Sequence, residues 1–221
     1  MSLRKLLSTL ATVAAFLATG AAAQQNPPYA PINPAQASEG GGKVEVIEFF
    51  WYGCPHCYNL EPEVAEWAKK APADVVFRRV PAIPNEAWAG TAQMFYTLEA
   101  MNLLNTHHIK VFDAIHRDRV NLNNKKTREE WLARNGVDVA KYNEMEKSFS
   151  VATKLQRAKQ LTAAYKVDGV PRITVDGRWY TAAELAGGNN RVFPVVDQLV
   201  EMARKDKTAL APAAPAAPAK R

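Results

Sequence analysis

Two cysteines, Cys54 and Cys57, follow directly on Lys43-Val44-Glu45-Val46-Ile47-Glu48-Phe49-Phe50-Trp51-Tyr52, a run whose β-branched and aromatic residues fill both faces of an extended chain. A strand apolar on both faces belongs in the middle of a sheet that is covered on each side. The run ends at Gly53, and beyond the cysteines Leu60, Val64, Trp67 and Ala68 recur at helical spacing to Lys70, with Pro62 expected to kink that helix. Val75-Val76-Phe77-Arg78-Arg79-Val80 reads as a second strand ended by Pro81. The chain is therefore expected to place its cysteines where the strand of a β-α-β unit hands over to a helix.

The rest of the sequence divides around that unit. Met1 to Lys5 is basic, Leu6 to Gly20 is apolar and Ala21-Ala22-Ala23 satisfies a small-residue cleavage pattern, so residues 1–23 read as a secretory signal. Its removal takes Arg4 and Lys5 and no acid, which lowers the net charge from +6 to +4. That mild excess is interspersed with acids, which is the pattern of a solvated surface and not of a nucleic-acid site. Residues 24–42, rich in Pro, Gly, Gln, Asn and Ala, read as a flexible leader.

From about Asn85 to Lys159 no stretch reads as a strand. Trp88, Ala92, Phe95, Leu98 and Met101 keep one helical face, and Ile109, Phe112 and Ile115 keep another. Thr127-Arg128-Glu129-Glu130 reads as a capping box opening a helix that Asn135-Gly136 closes, and Asp138 starts the next. After a long helix reaching Tyr165, the strands Arg172–Val175 and Arg178–Thr181 flank Asp176-Gly177, a type I′ hairpin signal. A last helix runs from about Arg191 to Lys205, and the Ala/Pro-rich tail beyond it has no core of its own.

A disulfide between Cys54 and Cys57 would close a loop of four residues, for which chain entropy supplies only ~2 kcal/mol, so chemistry accounts for the spacing better than stability. Haem attachment needs His directly after the second Cys, and Tyr58 is there; a structural zinc site needs four ligands, and no second cysteine or histidine pair completes one. Thiol redox chemistry remains. Cys54 falls at the first turn of the helix, where unpaired N–H groups favour an anion; Pro55 suits the first helical position, and His56 adds a donor or a charge. A Cys54 lowered ~3–5 pKa units would stabilise the reduced pair by about 4–7 kcal/mol and make its disulfide oxidising. His107, His108 and His116 read as surface or packing residues, since no H-E-x-x-H pattern accompanies them.

Glu48-Phe49-Phe50, Cys54-Pro55-His56-Cys57-Tyr58 and Gly169-Val170-Pro171 together make the chain, from about Val44 to Lys205, resemble the DsbA family of periplasmic disulfide oxidases in the thioredoxin superfamily. A low cysteine pKa and an oxidising disulfide are already known of that family, so the direction of exchange rests on the resemblance as well as on the helix terminus. The resemblance implies an α/β thioredoxin-like fold in two pieces, 43–84 and 160–206, with residues 85–159 as an inserted helical subdomain and 207–221 as tail. It implies a cis-proline loop at Val170-Pro171 lying against Cys54 and offering backbone hydrogen bonds to an extended substrate, and a buried acid, Glu48, able to assist proton transfer at Cys57. An ordinary solvated strand position is the other reading of Glu48. Two departures stand out: Gly53 is small, and Arg172 after the proline could further stabilise the thiolate or bias substrate choice.

The expected function is a dithiol oxidase that donates its Cys54–Cys57 disulfide to reduced, unfolded exported proteins through a mixed disulfide at Cys54, with no metal or organic cofactor. By resemblance a DsbB-type membrane oxidase reoxidises it in the periplasm, and a monomer that binds no nucleic acid is expected. A disulfide isomerase or reductase, or a chaperone-type binding module with an incidental disulfide, is the alternative.

Overall fold

The computed structural model describes residues 26–210, with backbone alone for 208–210; the signal and most of the tail lie outside the described residues. The central strand β2 (Val44–Phe50) is buried at every position, as its two apolar faces require. It pairs in parallel with β3 (Val75–Pro81), which runs through Pro81 and not up to it, and antiparallel with β4 (Arg172–Val175). β4 turns into β5 (Trp179–Thr181) through Asp176 and Gly177, whose φ values of 52° and 67° fit the expected type I′ hairpin.

A fifth strand was not anticipated. Ala30–Pro31, within the stretch expected to be a flexible leader, forms β1 and pairs antiparallel with β5, giving the sheet order β1-β5-β4-β2-β3. The Thr181 hydroxyl donates to the Pro28 carbonyl at 2.8 Å, Ile32 N donates to the Arg178 carbonyl, and Ile32 is buried. Proline is tolerated here because the strand lies on the sheet edge, and two residues are too few for a periodicity to register.

One sheet face packs on α1 (Pro55–Lys70) and the last helix, α7 (Asn189–Leu210), where Val44 and Val46 meet Leu60, Val64, Val196 and Leu199. Pro62 lies inside α1 without ending it. The other cluster joins Ile47 and Phe49 to the helical part: α2 (Ala89–Ala100), α3 (Leu104–His116), α4 (Lys125–Arg134), α5 (Val139–Glu146) and α6 (Phe149–Ala164). The expected domain boundary at 159/160 falls inside α6, a single helix whose C-terminal residues Leu161 and Thr162 are buried.

Local signals hold with one shift. Asn124, not Thr127, caps α4, its Oδ1 accepting the Thr127 N–H at 3.0 Å, because an earlier and stronger capping residue was available. Asn135 and Gly136, with φ of 78° at the glycine, close that helix, and Asp138 caps α5. The insertion is fastened over α1 near the cysteines by Tyr58, which donates to Asp113 at 2.6 Å, and by His116 Nε2, 2.8 Å from the Tyr52 carbonyl oxygen.

Candidate active site

Cys54 is the N-cap of α1, with extended backbone (φ −90°, ψ 116°) and Pro55 at the first helical turn. The helix therefore opens onto the Cys54 sulfur with unpaired N–H groups. Cys54 and Cys57 stand as free thiols, Cys54 7% exposed and Cys57 fully enclosed, so an incoming sulfur meets Cys54 first. Opposite it, Val170 and Pro171 form a cis peptide, and the Cys54 thiol donates to the Val170 carbonyl at 3.3 Å.

The surroundings drive the two sulfurs apart in proton affinity. The Cys57 thiol, donating to Cys54, is the leading cause that lowers the Cys54 pKa to about 6 against the opposition of burial; the backbone N–H groups of Cys57 and His56 and the His56 charge add to it. The exposed His56 imidazole thus acts through its charge, behind the backbone groups. Burial, reinforced by the Cys54 sulfur and by Glu48, pushes the Cys57 thiol far above the ordinary range.

Glu48 shares strand parity with Val44 and Val46 and so faces α1; at 1% exposure, the solvated reading of this residue fails. Its register partner across β2 and β3 is Arg79, whose Nε lies 3.1 Å from Glu48 Oε2. Burial pushes the Glu48 carboxyl up to about 8; Arg79 opposes the rise and Glu61 reinforces it. An acid that holds its proton to neutral pH beside the buried cysteine can supply or accept the proton of that sulfur.

Arg172 is elsewhere. Its guanidinium stacks 4.1 Å over the Tyr180 ring, donates to the Lys166 carbonyl at 3.1 Å and pairs with Asp168, and it is not among the leading causes of the lowered Cys54 pKa. A position next to Pro171 in sequence points away from the sulfur because alternate strand residues face opposite sides.

Sequence reasoning missed a buried polar chain. Glu61, one turn after Cys57 on the inner side of α1, bonds Arg79 at 2.7 Å and lies 3.3 Å from His108 Nε2, while the Tyr52 hydroxyl is 2.7 Å from His108 Nδ1. The usable signal was an acid at i+4 from a buried cysteine on an apolar helix face. Also missed was the stack of Trp51 on Trp88, centroids 4.1 Å apart, which joins the residue three before Cys54 to the start of the insertion. Gly53 is small for a local reason: a Cβ there would meet the Trp51 ring at 2.4 Å. Among the described residues no group of three or more His, Cys, Asp or Glu could hold a metal, and no helix is long and apolar enough to cross a membrane.

A thioredoxin-type sheet carrying a Cys-x-x-Cys pair at a helix N-terminus, faced by a cis-proline loop, defines the class of thiol:disulfide oxidoreductases. Within it, the chain belongs to the DsbA-like family: the model of the DSBA-like thioredoxin domain matches residues 45–200. It is 45% identical over 203 residues to the thiol:disulfide interchange protein DsbA of Bordetella parapertussis, covering 91% of this chain and 97% of that protein. The protein of the same name from Pseudomonas aeruginosa PAO1 is 41% identical over 163 residues, covering 74% of this chain and 77% of the relative. The crystal structure of Pseudomonas aeruginosa DsbA superposes with a TM-score of 0.79 at 37% identity, covering 82% of this chain and 95% of that one.

Proposed function

We propose that this oxidoreductase works as a donor: its Cys54–Cys57 disulfide passes to reduced exported proteins. The observation that carries the reading is the contrast at the helix terminus, where Cys54 is lowered to about 6 and Cys57 is held protonated. Only the reduced pair contains a Cys54 thiolate, so stabilising that thiolate favours reduction of the pair and oxidation of the partner.

A substrate thiolate attacks Cys54 Sγ, the Cys54–Cys57 bond breaks, and the departing Cys57 sulfur takes the proton of Glu48. A second substrate thiolate then attacks the substrate sulfur of the mixed disulfide and expels Cys54 as thiolate. The substrate loses two electrons and the pair gains them, without metal or organic cofactor. Val170, with its carbonyl at the Cys54 sulfur, and Pro171 position an extended substrate segment; Pro55 and His56 shape and charge the same rim. Membership of the family supports a periplasmic location, reached through the signal at residues 1–23, a monomeric enzyme, and reoxidation by a DsbB-type membrane oxidase.

The test is trapping. A Cys57→Ser variant treated with oxidised glutathione, so that Cys54 carries a glutathione mixed disulfide, and then mixed with a reduced, unfolded secreted protein is expected to accumulate a disulfide-linked conjugate at Cys54 as glutathione leaves, and Cys54→Ser treated in the same way to accumulate none. Equal conjugation by both variants would overturn the assignment of roles.

A further inference from the structure

His108 closes a chain of polar side chains that begins at the buried cysteine. Glu48 meets Arg79, Arg79 meets Glu61, Glu61 meets His108 Nε2 and His108 Nδ1 meets the Tyr52 hydroxyl, at 3.1, 2.7, 3.3 and 2.7 Å. Glu48, Glu61, His108 and Tyr52 are each buried, and Phe50, Phe95 and Phe112 pack edge-on around the imidazole. The charged or titratable groups facing His108 are Tyr52 of the loop before α1, Glu61 of α1 and Arg79 of β3; those facing Glu48 are Arg79, Glu61 and Cys57; Tyr142 of α5 faces Tyr52.

The tautomer is fixed by the far end of the chain. Burial keeps the Tyr52 hydroxyl protonated and the imidazole neutral, so Tyr52 donates to Nδ1 and leaves Nε2 as the N–H that meets Glu61. Arg79 hydrogen-bonds Glu61 and stands 3.1 Å from Glu48 without such a bond, burial already raises Glu48, and the neutral N–H of His108 facing Glu61 alone adds to that asymmetry.

We propose that His108, contributed by the helical insertion, is a positioning residue for the exchange reaction: by holding the positive end of its Nε2–H dipole 3.3 Å from Glu61 it favours charge there and the proton on Glu48, beside Cys57. Nothing in the sequence motif around the cysteines contains this residue. The inference rests on the reading of Glu48 as the proton partner of Cys57 and adds the device that holds it ready. In the donating direction the S–S bond between Cys54 and Cys57 breaks, the substrate–Cys54 bond forms, and the Glu48 proton moves to Cys57. In reverse, Cys57 gives that proton to ionised Glu48 as its sulfur attacks Cys54 and releases the bound thiol.

The reverse step isolates the proton. The protein is loaded as a glutathione mixed disulfide on Cys54, and the release of glutathione by Cys57 is followed against pH. The wild type is expected to accelerate through an ionisation that Glu48→Gln removes. His108→Leu, which fills the space without an N–H, is expected to move that midpoint down by up to about one pH unit, the loss of one N–H dipole facing a buried carboxylate. His108→Gln, which keeps an N–H, should restore it, and Tyr52→Phe, which frees Nδ1, should shift it in the same direction as leucine. The Cys54 thiolate absorbance, titrating as in the wild type, identifies variants whose active-site loop is intact. An unmoved midpoint in both His108→Leu and Tyr52→Phe, with the Glu48→Gln effect present, overturns the role of His108 alone. An ionisation that survives Glu48→Gln overturns the reading of Glu48 beneath it.

Discussion

The Cys54 sulfur and the Val170 carbonyl oxygen, 116 residues apart in sequence, lie 3.3 Å from each other across the mouth of the site. The contact joins the start of α1 to the loop entering β4, two elements brought side by side because β2 and β4 are antiparallel neighbours. A carbonyl held at that distance cannot accept from a thiolate. It is released for a substrate N–H when Cys54 ionises or is joined to another sulfur, which links binding to the redox state.

The first consequence concerns pH. In the reduced protein, Cys54 has a folded-state pKa of about 6, below the unfolded value near 9. A depressed acid stabilises the fold fully above its unfolded pKa, and the stabilisation is lost as pH falls through the folded one. Urea denaturation should therefore find the reduced form gaining stability over the oxidised form as pH rises from about 6 to about 9, and Cys54→Ser, which forms no such disulfide, following the pH dependence of the oxidised form over that range.

His56 should matter through its charge. Substituting leucine is expected to raise the Cys54 pKa, read as thiolate absorbance, and to make the disulfide less oxidising by about 30 mV for each unit of the rise. A variant whose pKa rises while its potential stays fixed would separate the two quantities and contradict this account.

Gly53→Ala should be costly despite its size. The added methyl meets the Trp51 indole, which is itself stacked on Trp88, so the ring must leave that stack. A loss of about 1–3 kcal/mol is expected from urea titration, together with a changed near-ultraviolet circular dichroism.

Arg172→Ala should leave the Cys54 titration unchanged while destabilising the protein by about 1–3 kcal/mol, since it removes the stack on Tyr180 and a donor to the Lys166 carbonyl. A Cys54 pKa that rises with this substitution would return Arg172 to the active site.

What was legible in the sequence was what local patterns encode. The two-faced apolar run of β2, the hairpin at Asp176-Gly177 and the helix closed by Asn135-Gly136 each depend on residues adjacent in the chain. Cys54, Pro55 and Cys57 were legible because a strand-to-helix join fixes their geometry. What escaped depends on contacts between distant segments. The edge pairing of Ala30–Pro31 needs β5, the direction of Arg172 needs Tyr180, and the polar chain beneath Cys57 draws on α1, β3 and α3. A lone Glu61 or His108 carries no signature until the fold brings them together.

The central claim is the direction of exchange, and the equilibrium of the Cys54–Cys57 pair with glutathione tests it most directly, followed by thiol alkylation or by the fluorescence of Trp51. A lowered Cys54 and a protonated Cys57 predict a potential well above thioredoxin's value of about −270 mV, so that the disulfide is readily given up. A potential close to that value would contradict the account: the helix terminus would not hold the Cys54 thiolate strongly enough, and the enzyme would be a reductase.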